Sequence, residues 1–193
     1  MQPVNGQKLC PYAKVPFGWR TMGHNGCVIL AIYNALLMTG RRAEVLKIRN
    51  FLHRIWKPRF FGVRAREAMR FLRRNRIPFR KASTVGELTS AMKPGSVAIL
   101  FCWNRTVPFC HFTVGEELLS VLRFVDPFGG AHGMAATVTE KGKWRVFNRY
   151  SNRGVVYEYG DFREFCPFEA LFMKALILEP AETEEGILSD PKL

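Results

Sequence analysis

Three residues that can cooperate in nucleophilic catalysis occur in order along the chain: Cys27, His111 and Asp126. A cysteine thiolate can attack a carbonyl carbon, an imidazole can transfer protons, and a carboxylate can hold that imidazole in one tautomer. Cys27 begins the apolar run 27–38, directly after the segment 23–26 (GHNG). The unpaired backbone N–H groups at a helix start favour a thiolate. This order predicts a thiol hydrolase site in which Asp126 orients His111.

Each of the three residues also has a structural interpretation. Cys27 could be a small apolar residue at the start of a buried helix, because free cysteines are commonly buried. His111 lies in the apolar run 109–114 and could be a core histidine bonded to the backbone, while Asp126 could cap a turn. If 109–114 and 121–125 pair as a hairpin, Asp126 can lie near the level of His111. The catalytic interpretation depends on the three residues occurring together.

The elements that must position these residues follow from the spacing of apolar side chains. Helices are predicted over 27–39, which ends before Gly40, over 43–56 and over 64–75. A short helix begins at Thr84, where Glu87 completes a capping-box pattern, and stops near Pro94. Strands are predicted over 97–103, 109–114, 121–125, 155–159 and 171–178, with a short helix over 161–165.

This order of elements predicts an α+β fold in one domain over 1–179. Its N-terminal helical half, about 19–94, would pack against a C-terminal antiparallel sheet of about five strands over 95–179. The end of the chain, 180–193, is acidic and aperiodic, and we expect it to be a flexible tail.

Two stretches carry a resemblance to a known family: NGCVILAIYNALLMTG, and VAILFCWN followed by HFTVGEE and LRFVDPFGG. Together, over residues 19 to 130, they resemble the papain-like cysteine peptidase superfamily, and within it the bacteriocin-leader (double-glycine) peptidase branch. The resemblance implies a papain-like fold and hydrolysis of an amide or peptide bond in a peptide or protein substrate. It implies Cys27 as nucleophile, His111 as general base and acid, and Asp126 as the orienting residue. We expect no cofactor and no metal ion.

The chain departs from the family pattern near the cysteine. The family typically has a glutamine several residues upstream that donates to the oxyanion hole, whereas 17–22 contains none and Gln7 is far upstream. Asn25 is our candidate for the missing donor, with His24 as a weaker substitute. Losing one such donor typically costs ~10²–10³ in rate. The family also favours glycine after the cysteine, where this chain has Val28. A catalytically silent binding module and an acyltransferase using the same thiol therefore stay open as alternatives.

Three further residues are candidates for the wall of a substrate cleft. Trp19 precedes the cysteine, His132 lies in a glycine-rich segment predicted to be a loop, and Asn148 begins a polar turn after Trp144. His132 could equally be a solvent-exposed loop residue.

The composition restricts the partners. The chain has 193 residues, with 29 Lys and Arg against 16 Asp and Glu, a net charge of +13. The stretch 41–81 contains 15 of these basic residues and two acidic ones, so it holds the whole excess. We expect an Arg-rich surface there that could bind an acidic partner. Nucleic acid is an unlikely physiological partner, because no recognisable nucleic-acid-binding motif accompanies the charge.

The composition also bears on location. The hydrophobic fraction of 48% argues against wholesale disorder. The longest apolar run is about a dozen residues, too short for the roughly 20 that a membrane span needs. The first 17 residues lack the apolar core of a signal peptide, and the five cysteines form no CxxC motif. We therefore expect a soluble cytoplasmic protein with reduced cysteines and no membrane span.

Overall fold

The computed structural model describes residues 2–55, 62–103, 106–114, 117–125, 131–166 and 171–181, with the backbone alone along 106–114 and 117–125. Within them the fold is of the α+β class, as the sequence predicts. The helices are α1 (Met22–Asn25), α2 (Cys27–Met38), α3 (Val45–Ile55), α4 (Ala65–Arg74), α5 (Val85–Ala91) and α6 (Phe162–Phe165). The strands are β1 (Pro16–Phe17), β2 (Arg20–Thr21), β3 (Arg80–Ala82), β4 (Val97–Trp103), β5 (Thr106–Val114), β6 (Glu117–Val125), β7 (Ala131–Val138), β8 (Trp144–Phe147), β9 (Tyr157–Tyr159) and β10 (Phe172–Leu178).

The two helix-end signals in the sequence are confirmed. Gly40 has a φ of 79° just beyond α2, and the N–H of Arg41 returns 2.8 Å to the carbonyl of Leu36, which closes the helix end. At the start of α5, the Thr84 hydroxyl accepts a hydrogen bond from the backbone N–H of Glu87 at 3.1 Å. The segment 23–26, which precedes the cysteine, largely belongs to the short helix α1.

The main sheet has six strands in the order β3-β10-β4-β7-β8-β9, and every neighbouring pair is antiparallel. The prediction of five strands is wrong in membership as well as in number. β5 and β6, which were expected inside the sheet, form a separate two-stranded hairpin. The place beside β4 is taken by β7, in a region predicted to begin as a glycine-rich loop.

Apolar clusters cover both faces of this sheet. On one face α2 packs against β4 through residues that alternate along the strand, Val97, Ile99 and Phe101. On the other face, Leu100 and Cys102 belong to a second cluster that includes residues of α5 and α6. This period of two is typical of a strand buried on both sides.

The start of α2 lies directly on β7 at Gly133. A Cβ atom added to Gly133 would lie 2.6 Å from Cγ2 and 2.9 Å from Cα of Val28, so only glycine fits there without displacement. This close approach fixes the first turn of α2 against the middle of the sheet.

Among the residues that the structure describes, no helix is both long enough and apolar enough to cross a membrane. Of the acidic end of the chain, residues 182–193 lie outside the described residues, so the predicted flexible tail stays a prediction.

Candidate functional site

Cys27 is the first residue of α2, as predicted, and its side chain is buried with 7% of its surface exposed. No side chain caps this helix start, and the first turn contains no acidic residue. The first backbone N–H groups of a helix have no partner within the helix. They are therefore donors that a negatively charged oxygen beside Cys27 could use.

His132 lies on β7, next to its first residue, and not in the predicted loop. Its side chain is 6% exposed, and its residue pairs across the ladder with Cys102 of β4. Its Nε2 lies 2.6 Å from the backbone carbonyl oxygen of Asn148. Because a carbonyl oxygen only accepts, Nε2 carries the hydrogen and donates it. The neutral ring then keeps a lone pair on Nδ1, which is the arrangement of a base.

The structure brings the Cys27 thiol and the His132 backbone into the same neighbourhood. The backbone N–H of Gly133, bonded directly to His132, interacts with the Cys27 sulfur. Gly62, between α3 and α4, borders the thiol from another side: a Cβ atom there would lie 3.9 Å from Sγ. The thiol is thus enclosed by the start of α2, by β7 and by the chain that enters α4.

Burial makes both groups neutral near pH 7. Desolvation raises the pKa of the Cys27 thiol, although the backbone amides of Gly133 and Val28 act in the opposite direction. Desolvation lowers the pKa of His132 to about 4, helped by the positive charge of Arg149 and opposed by the hydrogen bond to Asn148. The His132 ring lies on the face of the sheet that carries Cys102, opposite α2, so the imidazole and the Cys27 thiol do not meet.

Asn148 is fully buried and has a φ of 58°, in the left-handed region that asparagine tolerates better than most residues. Its carbonyl group accepts the hydrogen bond from His132, and its predicted place in the wall of a substrate cleft stays a prediction. Its side-chain oxygen accepts from the N–H of Gln7 at 3.0 Å, and its own N–H donates to Oδ1 of Asn5 at 2.9 Å.

The other two predicted catalytic residues are not tested. His111 lies on β5, where the backbone alone is described, and Asp126 lies outside the described residues. The predicted hairpin exists, but Val125, which precedes Asp126, pairs with Thr106 at the start of β5 and not with His111. The roles of His111 and Asp126 therefore stay predictions.

The candidates for the oxyanion hole have other partners or positions. The side-chain N–H of Asn25 points to the Phe17 carbonyl at 3.5 Å. His24 is exposed, with Nδ1 3.3 Å from the Thr21 hydroxyl. Trp19 lies in the turn between β1 and β2, with 63% of its surface exposed. The roles of Asn25 and His24 in an oxyanion hole, and of Trp19 in a substrate cleft, stay predictions.

The residues that follow His132 could have indicated that it lies in a buried strand. His132 and Asn148 are separated by 16 residues, and the stretch after His132 contains only small or apolar side chains until Thr137. We interpreted the glycines around His132 as a loop, whereas Gly133 permits a close approach of helix to strand. Nothing in the sequence indicated that Asn5 and Gln7 would contact Asn148.

The Arg-rich surface, defined as the described basic residues of 41–81, is solvent-facing along α4 through Arg66, Arg70, Arg73 and Arg74. Glu67 on the same helix is buried. Desolvation alone would raise its pKa, but hydrogen bonding and charge from Arg64 lower it overall. Arg80 pairs with Glu179 at 2.7 Å. The positive charge of this surface is thus carried on exposed side chains and is separate from the buried Cys27 thiol.

Within the described part of the chain, no group of three or more His, Cys, Asp or Glu residues could hold a metal ion. No protein-family model matches the chain, and no curated protein matches it.

Proposed function

We propose that this protein is a cysteine hydrolase that cleaves an amide bond, with Cys27 as nucleophile, His111 as general base and acid, and Asp126 as the orienting residue. One observation carries the proposal: Cys27 begins α2, and the backbone amides of Gly133 and Val28 interact with its sulfur. A thiol, an imidazole and an orienting side chain cooperate in papain-like proteases. The resemblance of 19–130 to that superfamily supports the same class.

The reaction divides into two steps. In the first, the imidazole of His111 takes the thiol proton as the sulfur attacks the carbonyl carbon, and the backbone N–H groups at the start of α2 stabilise the resulting oxyanion. His111 then gives the proton to the leaving amine, and a thioester remains on Cys27. In the second, His111 removes a proton from water as the water oxygen attacks the thioester, and it returns that proton to the Cys27 sulfur as the acid is released.

Two histidines are candidates for the base. The family resemblance favours His111 with Asp126. His132 pairs with Cys102, which belongs to the cluster on the α5 and α6 face, whereas Gly133 faces Val28 of α2. The His132 ring and the Cys27 thiol therefore lie on opposite faces of the sheet, and substitution of each histidine tests this assignment.

The test is the rate of alkylation of each cysteine by iodoacetamide at pH 7, followed by peptide mass analysis. In the unchanged protein we expect Cys27 to react faster than Cys10 and Cys166. His111→Gln removes the proposed base, so it should slow Cys27 alkylation at least ~10²-fold, the lower range of general-base contributions. His132→Gln is the matched control, because that ring lies on the other face of the sheet, and it should leave the rate within about twofold.

Two results would contradict the proposal. If Cys27 reacts no faster than Cys10 or Cys166, or if a Cys27→Ala protein keeps full activity on a peptide library, the thiol is not the nucleophile. If His132→Gln slows the reaction and His111→Gln does not, His111 is not the base.

A silent binding module is the second candidate, and the raised pKa of the Cys27 thiol favours it. In that case Cys27→Ala would bind its peptide partner normally and would lose no turnover. The Arg-rich surface is our proposed contact for an acidic partner in either case. Its contribution should weaken steeply as salt is raised, because exposed charges are screened.

A further inference from the structure

Two cysteines lie on the face of the main sheet that is opposite to α2 and Cys27. Cys102 is on β4, and Cys166 directly follows the last residue of α6. Both side chains are 3% exposed and belong to the cluster on the α5 and α6 face, whereas Cys10 and Cys27 belong to the cluster around α2. All four are present as thiols. The hydrolase chemistry proposed above involves the group that contains Cys27 and leaves the second group without a role.

The backbone brings Cys166 toward Cys102. Phe172 of β10 pairs with Cys102 across the ladder, and its ring packs against the ring of Phe162 in α6 with the centroids 6.0 Å apart. The carbonyl group of Phe162 accepts a hydrogen bond from the N–H of Cys166 at 2.8 Å. The end of α6 is therefore fixed against the strand pair that carries Cys102.

The two thiols meet at this point through a hydrogen bond. This bond is the largest cause that raises the pKa of the Cys102 thiol well above its usual value, followed by burial and by repulsion from a charge on Cys166. The positive charge of Arg149 acts in the opposite direction. Cys102 therefore keeps its proton and donates it, and Cys166 is the sulfur on which a negative charge is stabilised.

Cys166 also lines a cavity of about 780 Å³ beside α5 and α6. Its lining includes Thr89 of α5 together with Asp161 and Arg163 at the start of α6. Charges of both signs at this cavity match a small molecule that itself carries carboxylate and ammonium groups. Cys102 is not among the described residues that line it. A small reagent that enters the cavity therefore reaches Cys166 first.

We propose that Cys102 and Cys166 form a dithiol site that a small-molecule disulfide of the glutathione class oxidises to an intramolecular disulfide. In the first step the Cys166 thiolate attacks one sulfur of the reagent, and the S–S bond of the reagent breaks. A mixed disulfide remains on Cys166, and one small thiol leaves with the proton that Cys166 gave up.

In the second step the Cys102 sulfur attacks Sγ of Cys166, and the second small thiol leaves with the Cys102 proton. Two protein thiols are oxidised, and the reagent is reduced to two small thiols. The sulfur atoms must come closer than a hydrogen bond holds them. Rotation about the side-chain bonds and a small shift of the short helix α6 supply this movement.

The new bond would join β4 to α6 and close a loop of more than sixty residues. A disulfide restricts the unfolded chain, and the two thiols already touch in the folded one, so the bond should stabilise the fold. We expect the Tm of the oxidised protein to be about 5–10 °C above that of the reduced protein.

The test treats the reduced full-length protein with excess oxidised glutathione near neutral pH. Acid quenching, alkylation of the remaining thiols and peptide mass analysis then identify the products. We expect a peptide pair in which Cys102 is linked to Cys166 as the main disulfide, with two hydrogen atoms lost from the intact protein. Thermal unfolding should show the raised Tm, and a reductant should reverse both changes.

Two variants separate the roles of the two thiols. Cys102→Ala should stop the reaction after the first step and leave glutathione on Cys166. Cys166→Ala should leave Cys102 without glutathione, because Cys102 does not line the cavity. Cys10→Ala is the matched control: its thiol donates to the Gln7 carbonyl at 3.2 Å in the other cluster, and its loss should leave the yield of the Cys102–Cys166 bond unchanged.

Three results would overturn the proposal. The first is the absence of the Cys102–Cys166 link, or a link of either thiol to another cysteine as the main product. The second is an unmodified Cys166 in folded Cys102→Ala. The third is an oxidised protein with a lower Tm than the reduced one, since the bond would then require a distorted fold. Should the alanine variants fail to fold, the link found in the unchanged protein decides the proposal.

This proposal and the hydrolase can fail separately. Cys27→Ala should form the same Cys102–Cys166 bond in the same yield, because Cys27 lies on the opposite face of the sheet. Loss of the bond in that variant would contradict the dithiol site, whereas the alkylation rate of Cys27 tests the hydrolase alone.

Discussion

The strands β5 and β7 each contain one histidine among mainly apolar residues, yet they occupy different positions in the fold. β7 lies between β4 and β8 and touches the start of α2 at Gly133. β5 pairs with β6 in a separate hairpin. The comparison shows that neighbouring strands and helices decide what a histidine can do, since the two local sequences give similar expectations.

The largest effect that would separate the two strands concerns acid stability. The pKa of His132 is about 4 in the folded protein and ~6.5 in the unfolded chain. Between these values the unfolded state binds more protons, so stability falls as the pH falls from 6.5 toward 4. The loss attributable to this group should reach roughly 3 kcal/mol below pH 4.

Urea unfolding between pH 8 and pH 4 measures this dependence. His132→Gln should flatten it, because glutamine does not titrate, whereas His111→Gln should leave it as in the unchanged protein. A pH profile that His132→Gln does not alter would mean that His132 is not buried as a neutral group.

The next effect concerns the contact of β7 with α2. Gly133→Ala places a methyl group against the backbone of Val28, and one of the two elements must move. We expect a loss of about 2 kcal/mol in the free energy of unfolding, in the usual range for overpacking. Gly86→Ala in α5 is the matched control, because its nearest atom lies 4.0 Å away, and it should be neutral or stabilising. Equal stability of the two variants would contradict the close approach.

The smallest effect concerns local opening of the two strands. Amides of β7 that pair with β4, such as those around Ala135, are buried within the six-stranded sheet. We expect them to exchange with deuterium at least ~10-fold more slowly than the amides of β5, which has one partner strand. Hydrogen exchange with mass spectrometry measures this ratio. Equal protection of the β5 and β7 amides would contradict the prediction and would mean that β5 has more than one partner strand.

Much of the fold could be predicted because its signals are local. Gly40 after an apolar helix and Thr84 before Glu87 act through hydrogen bonds within a few residues, and both helix ends lie where the sequence indicates. The run 97–103 is a strand buried on both faces, which its continuous apolar sequence favours.

The site was harder to predict because its signals are not local. The sequence 129–133 has the composition of a loop, and only the approach of Val28 explains Gly133 within a strand. His111 is predicted as the base from the order of the three residues and from the family resemblance, and only its backbone is described, so that role stays a prediction. Sequence order also does not show that β7, and not β5, pairs with β4. Cys27 was predictable because a helix start is a local feature.

The contacts of Asn5 and Gln7 with Asn148 have a consequence for the order in which the fold closes during synthesis. Asn5 and Asn148 are 143 residues apart, and ribosomes release the chain from its N-terminus. Asn5 therefore emerges long before its partner, and contacts of such long range form slowly. On this arrangement the first residues and the region of Asn148 are among the last parts of the fold to meet.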